Sequence, residues 1–312
     1  MSPRRRRAHA AASRPRWMER PLAGLVEALG RGVGRLPPAA ADRLGRWVGL
    51  LAYLCLSRRR AVALANLTLA FGGTGNPREL RALARRSFEH LGVTAAECCR
   101  LFFGRPGLLL GKVQVDGLSH LKAAMAQERG ALLFTAHFGN WELLAAAHVL
   151  AGYPLSVVIR PLDNPALEAL LARCRERVHL RLIPKREALR EVVAALGRGE
   201  MVGILLDQNA TLREGVFVPF FGRLASTSKG LALLAQKTGA PVVPIFIHRE
   251  ADGTPRVTVE PPVPLQQSGD READTLANTA AFTRIIERHI AAHPEQWFWV
   301  HRRWKTRPPG EG

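Results

Sequence analysis

From Lys112 onward, short apolar runs alternate with segments of helical composition. The strand-like runs are 113–117, 131–136, 155–160, 180–184, 201–208, 241–249 and 256–263. Helices are expected between them, over 118–128, 141–151, 165–178, 186–198 and 226–238, and a last one over about 271–292. "ALLFTA" (131–136) is continuously apolar rather than alternating, the mark of a strand buried on both faces. Strand–helix alternation predicts an α/β fold: a mixed, mainly parallel sheet flanked by helices. Upstream the pattern is helical throughout, over 20–36, 41–57, 58–71 and 77–102. Pro37-Pro38 and "GGTGNP" (72–77) punctuate it. The expected organisation is a basic, disordered tail (1–16), a helical region (17–111) and an α/β domain (112–308), with no internal repeats.

Hydropathy raises the question of a membrane. No stretch reaches the roughly 20 apolar residues of a spanning helix. The best candidate, "WVGLLAYLCL" (47–56), is half that length and runs into "SRRR". The opening "MSPRRRRAHAAASRPRW" lacks the apolar core of a secretory signal. Segments 20–36 and 41–57 have apolar faces and arginine-bearing ends. They suit helices lying on a membrane surface, or an ordinary helical subdomain packed on the core.

Charge sharpens the picture. The 312 residues carry a formal net charge of +19, from 45 Lys and Arg against 26 Asp and Glu. Such a surface favours anionic partners: phospholipid headgroups, nucleic acid or acidic carrier proteins. Six of the basic residues are lysines, so part of the arginine excess can reflect codon bias. Cys55, Cys98, Cys99 and Cys174 form no CxxC pair. Neither zinc nor a disulfide framework is indicated, and a reducing compartment fits.

The candidate chemistry begins at "TAHFGNWELL" (135–144). His137 follows a buried strand, at the carboxyl edge where open α/β sheets bind ligands. Glu142 lies five positions on. If His137 sits on the turn and Glu142 in the first helical turn, the carboxylate can hold one imidazole nitrogen and leave the other as a base. The alternative is a capped helix beside a satisfied histidine. Arg160, Asp207 and Gln208 end other strands, and "VFVPFFGRLASTSKG" (216–230) is a loop leading into a helix. Each also has a structural reading: surface charge, turn former, helix cap. No GxSxG elbow, HExxH or Walker loop occurs, so a serine acyl-enzyme, a zincin and a P-loop are disfavoured. A base without a nearby protein nucleophile suits direct attack by a substrate hydroxyl.

Several ordered motifs carry a resemblance. "LANLTLAF", "TAHFGNWE", "VIRPLDNP", "GILLDQN", "VFVPFFGRLASTSKGLALLAQKTGAPVVPIF" and "EQWFWVHRRWKTRP" are together similar to the lipid A biosynthesis late acyltransferases. These are the lauroyl and myristoyl transferases of the wider glycerophosphate acyltransferase-like group. The resemblance runs from about residue 20 to 308. It implies an α/β acyltransferase fold with N-terminal membrane-associated helices, at the cytoplasmic face of the bacterial inner membrane. It implies an acyl thioester donor, on acyl carrier protein or coenzyme A, a lipid acceptor, and neither metal nor cofactor.

Residue by residue, His137 and Glu142 fall on the family's catalytic pair. Arg160 falls on an arginine thought to bind phosphate or stabilise the oxyanion, with Asn164 in the same motif. Asp207-Gln208 falls on Asp-Gln, and Phe220-Phe221-Gly222 on Phe-Phe-Gly, here read as substrate-binding. Phe217, Phe220 and Phe221 are expected to seat the acyl chain or to be plain core. "NATLREG" departs from the small, glycine-rich segment expected after Asp-Gln, which touches acceptor choice.

Trp297, Trp299 and Trp304, interleaved with Arg302, Arg303 and Lys305, suit an anionic membrane interface. They equally suit single-stranded nucleic acid, the signature of a non-catalytic binding module. That rival leaves the HxxxxE spacing and the apolar N-terminal helices unexplained, so no nucleic acid is expected. The acceptor is open among a lipid A precursor, a lysophospholipid, an ornithine lipid and a glycolipid such as a phosphatidylinositol mannoside.

Overall fold

A computed structural model describes residues 19–72 and 75–310; the expected tail (1–16) lies outside them. Four helices come first: α1 (Glu19–Gly34), α2 (Pro38–Cys55), α3 (Ser57–Phe71) and α4 (Pro77–Phe103). Prolines at the first helical position start α2 and α4, where the missing N–H costs nothing. Asn76 caps α4 by accepting from the Arg78 N–H. α2 crosses α4 backbone to backbone. A Cβ on Gly45 would come within 2.7 Å of Gly92 O, and one on Gly92 within 2.0 Å of Gly45 O.

After a short α5 (Pro106–Leu110) the α/β part begins. Its strands are β1 (Gln114–Asp116), β2 (Ala131–Thr135), β3 (Leu155–Ile159), β4 (Arg181–Pro184), β5 (Met201–Leu205), β8 (Val242–Arg249) and β9 (Pro255–Val259), with β6 (Gly215–Phe220) and β7 (Arg223–Ser228) forming a separate hairpin. The helices are α6 (Leu118–Met125), α7 (Trp141–Ala146), α8 (Pro165–Glu176), α9 (Ala188–Gly197), α10 (Gly230–Thr238) and α11 (Arg271–Ala292). The main sheet has seven strands in the order β1-β9-β8-β2-β5-β3-β4. Its pairings are parallel except β8–β9.

Side chains alternate across this sheet. Leu132, Phe134, Val202 and Phe246 join a core with α9, α10 and α11; Ala131, Leu133, Met201 and Val243 join another with α6, α7 and α8. Long α4 contributes to both, through Leu83 and Phe88 on one side and Leu101 and Phe102 on the other.

Five expectations need correction. The loop foreseen over 216–230 is the hairpin β6–β7, and the helix foreseen from 226 starts at Gly230. Phe221 (φ 50°) and Gly222 (φ 70°) make a turn with two left-handed residues, the kind whose twist suits a tight hairpin. The helix foreseen over 141–151 is α-helical only to Ala146 and becomes a 3₁₀ turn over Ala147–Leu150. The strand foreseen over 201–208 ends at Leu205. Finally, "WFWVHRRWK" is not a surface strip. Trp297, Trp299, Trp304 and Arg303 are buried, and Trp297 and Trp299 pack edge to face at 4.6 Å.

No described helix is long and apolar enough to cross a membrane. In segment 41–57, α2 packs one face against its neighbours and exposes the other. Ala41, Gly45 and Gly49 are buried. Trp47 is 70% exposed, Leu51 60% and Leu54 59%.

Replacing Gly92 with Ala should force α2 from α4 and cost about 1–3 kcal/mol, read as a lower thermal midpoint. Gly24→Ala on α1, where a Cβ meets nothing within 4 Å, should instead stabilise by up to about 1 kcal/mol.

Candidate active site

The site is an extension of strand register. Parallel neighbours β2 and β5 pair Ala131 with Met201 and Thr135 with Leu205. Two residues beyond each strand, the same register sets His137 beside Asp207. Nδ1 of His137 lies 2.8 Å from Asp207 Oδ1. Trp297 Nε1–H donates to Asp207 Oδ2 at 2.7 Å.

Asp207 is buried, which on its own would raise its pKa; the His137 charge and the hydrogen bonds from His137 and Trp297 outweigh burial and hold it below the ordinary carboxylate range. A proton on Nδ1, facing this carboxylate, leaves Nε2 as the bare acceptor. Nε2 lies 3.3 Å from the side-chain amide of exposed Gln208. The Trp141 ring sits edge-on to the imidazole at 5.2 Å.

The loop carrying His137 is clamped on several sides. The Phe298 N–H donates to His137 O at 3.1 Å, and the Gly139 N–H to Gln296 O at 2.9 Å. Gly139 has φ 57°, and a Cβ there would fall 2.0 Å from Ile247 O, so no other residue fits. Asn140 caps α7 by accepting from the Leu143 N–H, and its Nδ2 donates to Glu97 on α4 at 2.9 Å. Glu97 in turn pairs with Arg249.

The acid partner of His137 is therefore Asp207 and not Glu142, as the spacing had suggested. Capping at Asn140 places Glu142 in the first turn of α7, where Arg175 of α8 grips it through two bonds of 2.5 and 3.1 Å. Burial lowers the Arg175 pKa, but the Glu142 hydrogen bond and charge outweigh it and raise the value. Glu142 thus joins α7 to α8 behind the loop.

The other expected site residues divide. Gln208 is at the imidazole. Arg160 follows β3 and is exposed, 3.9 Å from Asp163. Asn164 caps α8 by accepting from the Ala166 and Leu167 N–H groups. Phe220 is core rather than acyl pocket, packed between Trp297 and Trp304 with the Arg303 guanidinium 4.9 Å above its ring. Phe221 and Gly222 form the hairpin turn, and the Phe221 N–H donates to Glu287 at 2.7 Å. Beneath this corner Arg303 donates to Ser226 O at 2.7 Å. Burial lowers its pKa to about 10, and Asp207 supplies the opposing charge.

An apolar cavity lies between the sheet and the α6–α7 layer. Thr135 and Trp141, beside His137, are among its walls. So are Leu133, Leu144, Gly203 and Met201. None of Phe217, Phe220 and Phe221 lines it.

Trp297, Asn140, Glu97 and Arg175 were not foreseen as site residues. The Trp297 signal was present but read as surface. The Asn140 signal was also present: Asn before a helical run is a standard cap. Glu97 and Arg175 carried none, because their partners are distant in sequence.

The profile of the bacterial lipid A biosynthesis acyltransferases matches residues 15–306. The chain belongs to that family and is an O-acyltransferase. It is 33% identical to the lipid A biosynthesis lauroyltransferase of Escherichia coli over 89% of each chain. It is 25% identical to the E. coli lipid A biosynthesis myristoyltransferase over 90% of this chain and 85% of that one. A phosphatidylinositol mannoside acyltransferase of Mycobacterium tuberculosis is 31% identical over 61% of this chain and 59% of its own.

Asp207→Asn should lower the acyl-transfer rate by up to about 10⁴-fold, the loss seen when a buried supporting aspartate becomes an amide. Glu142→Gln should instead destabilise the fold by about 1–3 kcal/mol, because it takes the charged partner from half-buried Arg175, and leave the pH profile of the remaining activity unmoved. The lowered pKa of Asp207 sets a third expectation. Its stabilising contribution is complete above about pH 3.9 and is lost as pH falls through the lower folded value. Urea unfolding should show the gap between wild type and Asp207→Asn closing in that acid window.

Proposed function

We propose that the enzyme moves a fatty acyl group from a thioester, on acyl carrier protein or coenzyme A, to a hydroxyl of a lipid A precursor. The observation that carries this reading is an imidazole with Nδ1 on a buried carboxylate, beside an apolar cavity suited to a hydrocarbon chain. His137 Nε2 takes the proton from the acceptor hydroxyl as its oxygen attacks the thioester carbonyl carbon. Asp207 stabilises the imidazolium so formed. When the C–S bond breaks, the departing thiolate receives that proton.

The developing oxyanion needs fixed donors. The Phe138 and Gly139 N–H groups are spent on Ala136 O and Gln296 O. The Gln208 carboxamide beside Nε2, and exposed Arg160, are the donors we assign to the oxyanion or to a phosphate on the acceptor. Glu142 acts through Arg175 and the α7 start, as a positioning residue.

Location follows the same reading. Leu25, Leu29, Trp47, Leu51 and Leu54 are exposed on α1 and α2, next to exposed Arg43, Arg46 and Arg58. Apolar side chains beside arginines suit a helix pair resting on an anionic bilayer. The enzyme then works at the cytoplasmic face of the bacterial inner membrane, where a basic surface draws in both lipid and an acidic carrier. The mycobacterial relative keeps a glycolipid acceptor as the second reading. The nucleic-acid reading loses its stacking platform, since Trp297, Trp299 and Trp304 are buried.

With an acyl thioester and a lipid A precursor, His137→Ala should lower transfer by about 10²–10⁴-fold. Activity within tenfold of wild type would end the general-base role. Mass spectrometry of lipids from cells with and without the chain should show one acyl group gained on lipid A; a gain on another lipid class would reassign the acceptor.

A further inference from the structure

β5 is a central strand, and glycine weakens a strand interior unless a close approach or an unusual backbone requires it. Gly203, at the middle of β5, has neither reason. Its φ is not in the left-handed region, and a Cβ there would meet Leu155 Cδ1 at 3.6 Å, Val157 Cγ2 at 3.8 Å and Ser156 O at 3.9 Å, all ordinary contacts. The backbone accepts a side chain at this position. What a side chain would take up is space in the apolar cavity, of which Gly203 is a wall.

Its neighbours make the missing side chain a notch. Register pairs Gly203 with Leu133 of β2 on one side and Val157 of β3 on the other. All three line the cavity. One step deeper on the same face lies Met201, buried; one step shallower lies Leu205, next to the Asp207 end. At about 3.3 Å per residue, Gly203 lies about 13 Å along the strand from Asp207, and Met201 about 20 Å. A hydrocarbon chain with its carbonyl at His137 and its tail directed down the sheet must cross the notch to reach the Met201 end.

We infer that Gly203 is the residue that sets which acyl chain lengths this enzyme accepts: the absent side chain opens the deep half of the cavity to the tail. This rests on the acyl-transfer reading above. A leucine at 203 divides the cavity and leaves room for a short chain only. It removes nothing from His137, Asp207 or Gln208. A Cβ at this position meets only ordinary contacts, so Gly203→Ala keeps the fold and serves as the milder variant.

The test compares wild type, Gly203→Ala and Gly203→Leu on saturated acyl thioesters graded from octanoyl to palmitoyl. For Gly203→Leu the preferred donor should become shorter, with losses of about tenfold or more for each methylene past the new floor. The octanoyl rate should be retained, and Gly203→Ala should fall between. An unmoved length profile, including an equal loss at every length, overturns the inference.

A second measurement does not need transfer: protection of each protein against thermal unfolding by free fatty acids of the same lengths. If wild type transfers no acyl group at all, the proposed function fails, and this measurement alone decides the role of Gly203. Long acids protecting wild type but not Gly203→Leu support it. Equal protection of both, or protection of neither, overturns it.

Discussion

A buried carboxylate held between an imidazole and an indole organises this enzyme. Asp207 is out of water, and an unpaired charge there would be costly. His137 Nδ1 and Trp297 Nε1 each give it a hydrogen bond, at 2.8 and 2.7 Å. The cost of burying the acid therefore ties three distant segments to one point: the end of β2, the end of β5 and the C-terminal stretch. Much of the remaining architecture keeps these segments still. The 296–298 backbone bonds to the His137 loop, and the Asn140–Glu97–Arg249 chain braces it from α4.

The same arrangement separates two jobs often given to one acid. Glu142 is close to His137 in sequence but spends both carboxylate oxygens on Arg175. Asp207 is 70 residues away and bonds the imidazole. One acid ties α7 to α8 behind the loop. The other fixes the ring's tautomer. Loss of the first should act through folding, and loss of the second through chemistry.

How much of this was legible depends on the range of each interaction. The sheet strands could be read because each is a local apolar run, and strand ends pointed to His137, Asp207 and Gln208 together. The hairpin β6–β7 was hidden because "VPFFGRLAS" mixes proline, glycine and arginine with its apolar positions, and its two faces do not alternate cleanly. The tryptophans were misplaced because WxW interleaved with arginines looks amphipathic. In the fold, Arg303 goes inside, donating to Ser226 O and Thr227 Oγ1 and lying over the Phe220 ring. The Glu142 pairing failed for a geometric reason: a cap at Asn140 turns the acid towards α8. That His137 meets Asp207 is a fact of register between strands that are not consecutive, and no local pattern encodes register.

Register also bears on how the enzyme comes to life. Side chains alternate sides along a strand, so a one-residue slip of β5 against β2 would carry Asp207 to the opposite face. The dyad thus depends on a single pairing register. It needs β5 docked on β2, and the last residues add the Trp297 bond to it. A chain cut short of Trp297 would leave the buried carboxylate with one hydrogen-bond donor in place of two.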